Sequence, residues 1–155
     1  MIVCMSALKE KLETDLSDAM RARDEVRTRT LRMALTAVKT EEVAGKQARV
    51  LSDDDIVKVL TREAKKRREA ATAFDDAGRD EQARAERDEG AVLEDYLPAQ
   101  LGDDELAALV ADAIAATGAE GPRAMGQVMK AVNPKVAGRA EGGRVAAEVK
   151  RQLAE

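Results

Sequence analysis

The residues able to do chemistry in this chain are cations, glycines and carboxylates. There is no histidine and a single cysteine, Cys4. That removes the commonest general base and the commonest metal ligand. With one terminal cysteine and no His, no zinc or thiolate site can be assembled, so neither a metal nor a cofactor is expected. Ser6, Ser17 and Ser52 sit in no nucleophile-elbow context, and the chain has no GxGxxG or GxxxxGK[ST] motif. An enzyme would have to work with carboxylates, Lys, Arg and the only tyrosine, Tyr96. No convergent set of such groups is visible, so no catalytic residue is assigned. What remains is anion binding. In the stretch Lys130 to Arg144, Lys130, Lys135, Arg139 and Arg144 supply cations. Gly138, Gly142 and Gly143 allow close backbone approach, and the free N–H groups at a helix start attract phosphate. With no aromatic residue nearby for base stacking, an RNA bound here would be read by shape and backbone. The plainer reading is an interhelical turn whose glycines serve backbone geometry.

A second basic set, Lys58, Arg62, Lys65 and Lys66, falls near one face of a long helix, with Arg67 close to that helix's apolar stripe and its stem half buried. It reads either as a phosphate-binding face or as a solvated face neutralised by Glu63, Glu69, Asp75 and Asp76. The whole chain carries 26 Lys and Arg against 30 Asp and Glu, a net charge of −4. That argues against a general nucleic-acid binder and leaves room for a local patch. Charge is divided unevenly near the C-terminus. Residues 99–118 hold four acids and no base, whereas residues 119–155 hold seven bases against four acids, a net of +3.

Helices must position these groups. Hydrophobic residues make up 45% and charged residues 36%, a balance that fits neither a disordered tail nor a membrane protein. Aromatics are 1%, so the core must be built from Leu, Val, Ile, Ala and Met. No apolar run is long enough to span a bilayer. Residues 1–5 read as a disordered extension with Met5 as an alternative start to Met1 and Cys4 as a flexible thiol. The lone cysteine and the lack of a targeting segment point to the cytoplasm. Ser6 caps a first helix with Leu8, Leu12, Leu16, Ala19 and Met20 as its apolar stripe. Asp24 caps a second, with Leu31, Ala34, Leu35 and Val38, and Gly45 as its C′ residue. Ser52 and Asp55 open a third through a capping box, with Leu51 and Ile56 as staple and Gly78 at its end. Asp80 caps a fourth that runs through Tyr96 and stops before Pro98. Beyond it, Leu106, Leu109, Val110, Ala113 and Ile114 form one helix closed by Gly118. Pro122 opens the next, with Met125, Val128, Met129 and Val132 on its apolar side, and Asn133-Pro134 breaks it. Val145, Ala146, Val149 and Leu153 mark the last. Nothing reads as a strand. The expectation is an all-α protein, with an N-terminal bundle of about four helices over residues 6–97 and a small C-terminal three-helix domain over 98–155. Tyr96, Leu97 and Pro98 would be the hinge, with Tyr96 buried where the two parts meet.

Several stretches together resemble the GatB/YqeY family. They are Leu31-Arg32-Met33 with Ala37-Val38-Lys39, Arg62-Glu63-Ala64-Lys65-Lys66-Arg67-Arg68-Glu69, Phe74-Asp75-Asp76-Ala77-Gly78-Arg79 and Leu93-Glu94-Asp95-Tyr96-Leu97-Pro98. Met125-Gly126-Gln127-Val128-Met129 and Pro134-Lys135-Val136 with Gly138-Arg139-Ala140-Glu141-Gly142 continue the match. The resemblance covers about residues 6–153 and is to the short, stand-alone YqeY-like members, relatives of the tail of the aspartyl/glutamyl-tRNA amidotransferase B subunit. It implies a two-part all-helical fold and, since that tail contacts tRNA, a tRNA partner. The domain that carries amidation chemistry in the B subunit has no counterpart here. Any activity would therefore be associated with an amidotransferase, a carbon–nitrogen ligase using glutamine as amide donor. The function expected is a non-catalytic accessory module that binds tRNA. The alternative is a protein-interaction scaffold that meets a protein partner through the acidic face of Asp103 to Asp112, the methionine stripe or the long third helix. The oligomeric state is left open.

Overall fold

The computed structural model describes residues 6–155; the N-terminal extension, the Cys4 thiol and the Met5 start lie outside the described residues. Among the described residues the chain is all-helical, without a strand. No helix among them is long and apolar enough to cross a membrane. The chain falls into two compact units, one ending at Leu97 and the other spanning Pro98–Glu155.

The first unit holds α1 (Ala7–Arg21), α2 (Glu25–Glu42), α3 (Asp53–Asp76) and α4 (Asp80–Glu94). Local caps set where they start. The Ser6 hydroxyl accepts from the Lys9 N–H at 3.2 Å and donates to the Asp53 carboxylate, which also accepts from the Leu8 N–H at 3.2 Å. The beginnings of α1 and α3 are thus tied together. Asp24 caps α2 through the Arg27 N–H, and Ser52 and Asp55 form a reciprocal capping box on α3. Leu51 and Ile56, the staple residues, are both buried. At the end of α3, Gly78 takes φ +71°. The Arg79 N–H bonds the Phe74 carbonyl and the Gly78 N–H that of Asp75, the two bonds of a Schellman closure.

Three boundaries differ from expectation. Gly45 does not terminate α2. The helix ends at Glu42, and the N–H groups of Val43 and Ala44 bond the carbonyls three residues back, at Thr40 and Glu41. That tightened last turn needs no left-handed residue. Asp80 is the first residue of α4 rather than its cap, because Arg79 serves as the last residue of the α3 closure and the cap of α4 at once. At the other end α4 stops at Glu94, and Tyr96 and Leu97 continue as a turn bonded to Leu93 and Glu94.

Leu12, Leu31, Val38, Ile56, Leu60 and Leu93 are fully buried at the centre of this unit, with Ala34 and Ala64 letting the helices close. Each such large side chain contributes about 1.5–3 kcal/mol on burial.

The second unit holds α5 (Asp103–Thr117), a 3₁₀ turn at Pro122–Ala124, α6 (Met125–Val136) and α7 (Gly142–Leu153). Val110, Val128, Val132, Val145 and Val149 form its core with Leu101 and Leu106. Gly118 closes α5 at φ +63°. Here the sequence reading needs its largest correction: Asn133-Pro134 does not break the chain, and α6 runs through Pro134 to Val136. Val132 and Val136 flank the proline and are both buried. Packing in the core therefore outweighs the one missing hydrogen bond and the preference of Asn133 for extended backbone. Lys135 accordingly belongs to the last turn of α6, and the connecting loop shrinks to residues 137–141.

Candidate nucleic-acid interface

The loop between α6 and α7 is built from two successive left-handed residues, Ala137 at φ +48° and Gly138 at φ +77°. The Ala137 N–H bonds the Asn133 carbonyl and the Arg139 N–H that of Val136, each at 3.0 Å. The Arg139 guanidinium donates to the Lys135 carbonyl at 3.4 Å, beside the negative end of the α6 dipole. Glu141 then stands at the N-cap of α7 but gives no side-chain cap bond. The first intrahelical bond is made by the Val145 N–H. The backbone N–H groups of the exposed Gly142 and Gly143 therefore sit at the positive end of α7 without a side-chain acceptor among the described residues. Neither glycine has positive φ, and a Cβ at either would meet nothing within 4 Å. Neither conformation nor internal packing requires glycine at these two positions.

The cations of this stretch divide into two groups. Lys130 and Lys135 are exposed and Arg139 half-exposed, and none of them has an ion-pair partner among the described residues. Arg144 is engaged inside the unit: its Nη2 donates to the Leu101 carbonyl at 3.0 Å and to Asp103 at 2.9 Å. The Leu101 N–H donates in turn to the Arg139 carbonyl at 2.7 Å. Both backbone groups of buried Leu101 are thus held by this loop and the start of α7. On the opposite end of α7, Arg151 and Gln152 donate to Glu148 and hold its carboxyl down to about 2. Gln152 also donates to the Ala107 carbonyl, which joins α7 to α5.

Three of the four cations in the second basic set have carboxylate partners, two of them on the same helix and one on another. Lys66 pairs with Glu63 at 2.9 Å, Lys65 with Glu69 at 3.9 Å, and Arg62 with Glu41 of α2 at 3.0 Å. Lys58 is exposed. A groove of about 420 Å³ beside them is lined by Arg62 and Lys66 but also by Glu41 and Glu63. Asp75 pairs with Arg87 of α4. Arg67 has a half-buried stem. Its guanidinium meets Glu86 at 3.2 Å, Glu89 at 3.4 Å and Glu63 at 3.7 Å, while its buried Nε has no acceptor among the described residues.

Tyr96 is buried in the core of the first unit. Its hydroxyl donates to Asp15 and accepts from Arg27 at 3.1 Å, with the Lys11 ammonium 5.4 Å from the ring centroid. Burial, and then the Asp15 carboxylate, push the phenol's pKa upward, and the same hydrogen bond holds Asp15 below its ordinary value. The phenol therefore stays protonated at neutral pH and serves as a tie between α1, α2 and the end of α4. Leu97 and Pro98, either side of the unit boundary, are half-buried.

Among the described residues, four helices followed by three, in two compact units with a lysine- and arginine-bearing turn in the second, define a two-unit, all-α protein. The family model described as Yqey-like protein matches residues 9–153, and the chain belongs to that family. No curated protein matches the chain.

Proposed function

We propose that the protein is a non-catalytic accessory module that binds tRNA through the α6–α7 end of its second unit, in the cytoplasm. The observation that carries this reading is the contrast in charge pairing. Most cations of the basic face on α3 have carboxylate partners, whereas Lys130, Lys135 and Arg139 have none among the described residues. Arg139 lies in the loop that leads into the glycine-lined start of α7, and Lys130 and Lys135 lie on the preceding helix. That start has no side-chain cap bond among the described residues, and its backbone N–H groups and helix dipole favour a phosphate. Lys130, Lys135 and Arg139 contact phosphates, Gly142 and Gly143 let the strand approach, and Arg144 holds the turn in place through Leu101. Gly138 supplies the left-handed step that turns the chain toward α7. The resemblance to the amidotransferase B-subunit tail points to the same partner.

Reversing two charges, Lys135→Glu with Arg139→Glu, tests the site. Binding to bulk tRNA at low salt should fall at least tenfold while helicity by circular dichroism is unchanged. Unaltered affinity would sink the site. The scaffold reading would use Met125 and Met129, which are partly buried against the core of the second unit. It predicts a protein partner that co-purifies after RNase treatment.

A further inference from the structure

Where α1 hands over to α2, the first unit carries a groove of about 650 Å³ lined by Met20, Arg23, Glu25, Thr28, Arg29 and Arg32. Three guanidiniums face one carboxylate, a formal +2. Arg29 is fixed from behind. Its Nε donates to Glu89 at 2.7 Å, and Glu89, only 9% exposed, is gripped in turn by Arg67. Its other nitrogens are left without a partner among the described residues. Among the described residues Arg32 donates only to the Met20 sulfur at 3.7 Å, a weak acceptor. Arg23 makes no ion pair among the described residues and sits at φ +57°. The Arg23 N–H bonds the Met20 carbonyl and the Asp24 N–H that of Ala19, a Schellman closure whose left-handed position is usually glycine. An L-residue there is disfavoured.

The rest of the lining is matched to something larger than a bare anion. Thr30, Thr36 and Thr40 of α2 each donate to the carbonyl four residues back, whereas the Thr28 hydroxyl makes no hydrogen bond among the described residues. Met20 is 50% exposed, an apolar patch beside the arginines. Among the described residues only Arg29 of the three arginines has an ion-pair partner, so like-charge repulsion at this corner is offset in part by Glu89 and Glu25, and a bound anion would offset the rest.

We propose that this groove binds the phosphate monoester of a nucleotide. A monoester carries about −1.5 to −2 charge at neutral pH, complementary to the groove, and guanidiniums bind it in paired hydrogen bonds. Guanidinium planes and the Met20 thioether offer a surface for a base. Glu25 accepts from a ribose hydroxyl or exocyclic amine, and Thr28 supplies a further polar contact. The phosphate's source is either a free nucleotide or the 5′ end of an RNA.

Titration calorimetry of the full chain with 5′-AMP, adenosine and inorganic phosphate tests this. AMP should bind, with adenosine and phosphate each at least tenfold weaker. Arg32→Gln and Arg23→Gly should each weaken AMP by about tenfold or more, the effect of one charge-assisted bond. Arg23→Gly should at the same time raise the melting temperature, which separates lost binding from lost folding. Lys135→Glu with Arg139→Glu should leave AMP binding intact, so this site stands or falls apart from the tRNA site. An RNA oligonucleotide that displaces AMP only when 5′-phosphorylated identifies an RNA end as the source; displacement by neither form identifies a free nucleotide. No heat with AMP at millimolar concentration, phosphate binding as tightly as AMP, equal affinity in both arginine variants, or equal displacement by 5′-hydroxyl RNA would each overturn the proposal.

Discussion

Gly143 places stability and binding in opposition. It occupies the first turn of a helix at ordinary φ, with open space where a Cβ would go. Glycine in a helix costs about 0.5–1 kcal/mol relative to alanine. Gly143→Ala should therefore stabilise the protein by about that much in denaturant titration. It should also weaken tRNA binding by crowding the phosphate, whereas a plain turn predicts the stability gain alone. Carboxylates make a second prediction. Asp15 is held below 3.8 by Tyr96, and Glu148 at about 2 by Arg151 and Gln152. Both bind fewer protons folded than unfolded, so their contribution is present above their ordinary values and is lost as pH falls toward 2. With no histidine in the chain, stability should be flat across roughly pH 6 to 8. Melting curves of wild type and Asp15→Asn should differ at neutral pH and draw together as acid protonates the lowered Asp15 carboxyl.

At the scale of elements, the α3–α4 hairpin rests on a mostly buried ionic knot. Arg67 meets Glu63, Glu86 and Glu89, and Glu89 is shared with Arg29. Arg67→Ala leaves carboxylates uncompensated and should destabilise by about 3 kcal/mol, near the low end for breaking a buried pair because Arg29 remains. Arg67→Met with Glu89→Gln should cost less than Arg67→Ala, measured by the denaturation midpoint with an unchanged m-value. This knot also shows what was legible in the sequence. The caps at Ser6, Asp24 and Ser52 and the glycine closures at Gly78 and Gly118 were readable, because each is decided by neighbours a few residues away. The apolar stripes gave the core for the same reason. Partners from other helices were not readable: Glu41 for Arg62, Glu89 for Arg29, and Asp103 for Arg144, 41 residues off. Pro134 misled because its local rule was overridden by the burial of Val132 and Val136. The groove at the α1–α2 corner was not legible, since its concavity and the left-handed Arg23 arise from how two helices meet.

The whole molecule is net negative, at −4, yet its last 37 residues carry +3. Acidic residues of the first unit pair with Arg62, Lys65 and Lys66 of α3, and the second unit keeps Lys130 and Lys135 of α6 exposed. Such an arrangement suits a partner met by a small, oriented patch rather than by the overall field. The most direct test is the affinity of the full chain for bulk tRNA across a salt series, beside the Lys135→Glu, Arg139→Glu variant. About three phosphate contacts should give a log–log slope of roughly −2 to −3 for the wild type, shallower in the variant by about one or two. No binding at low salt, or a slope that the variant leaves unchanged, would contradict the tRNA-binding account.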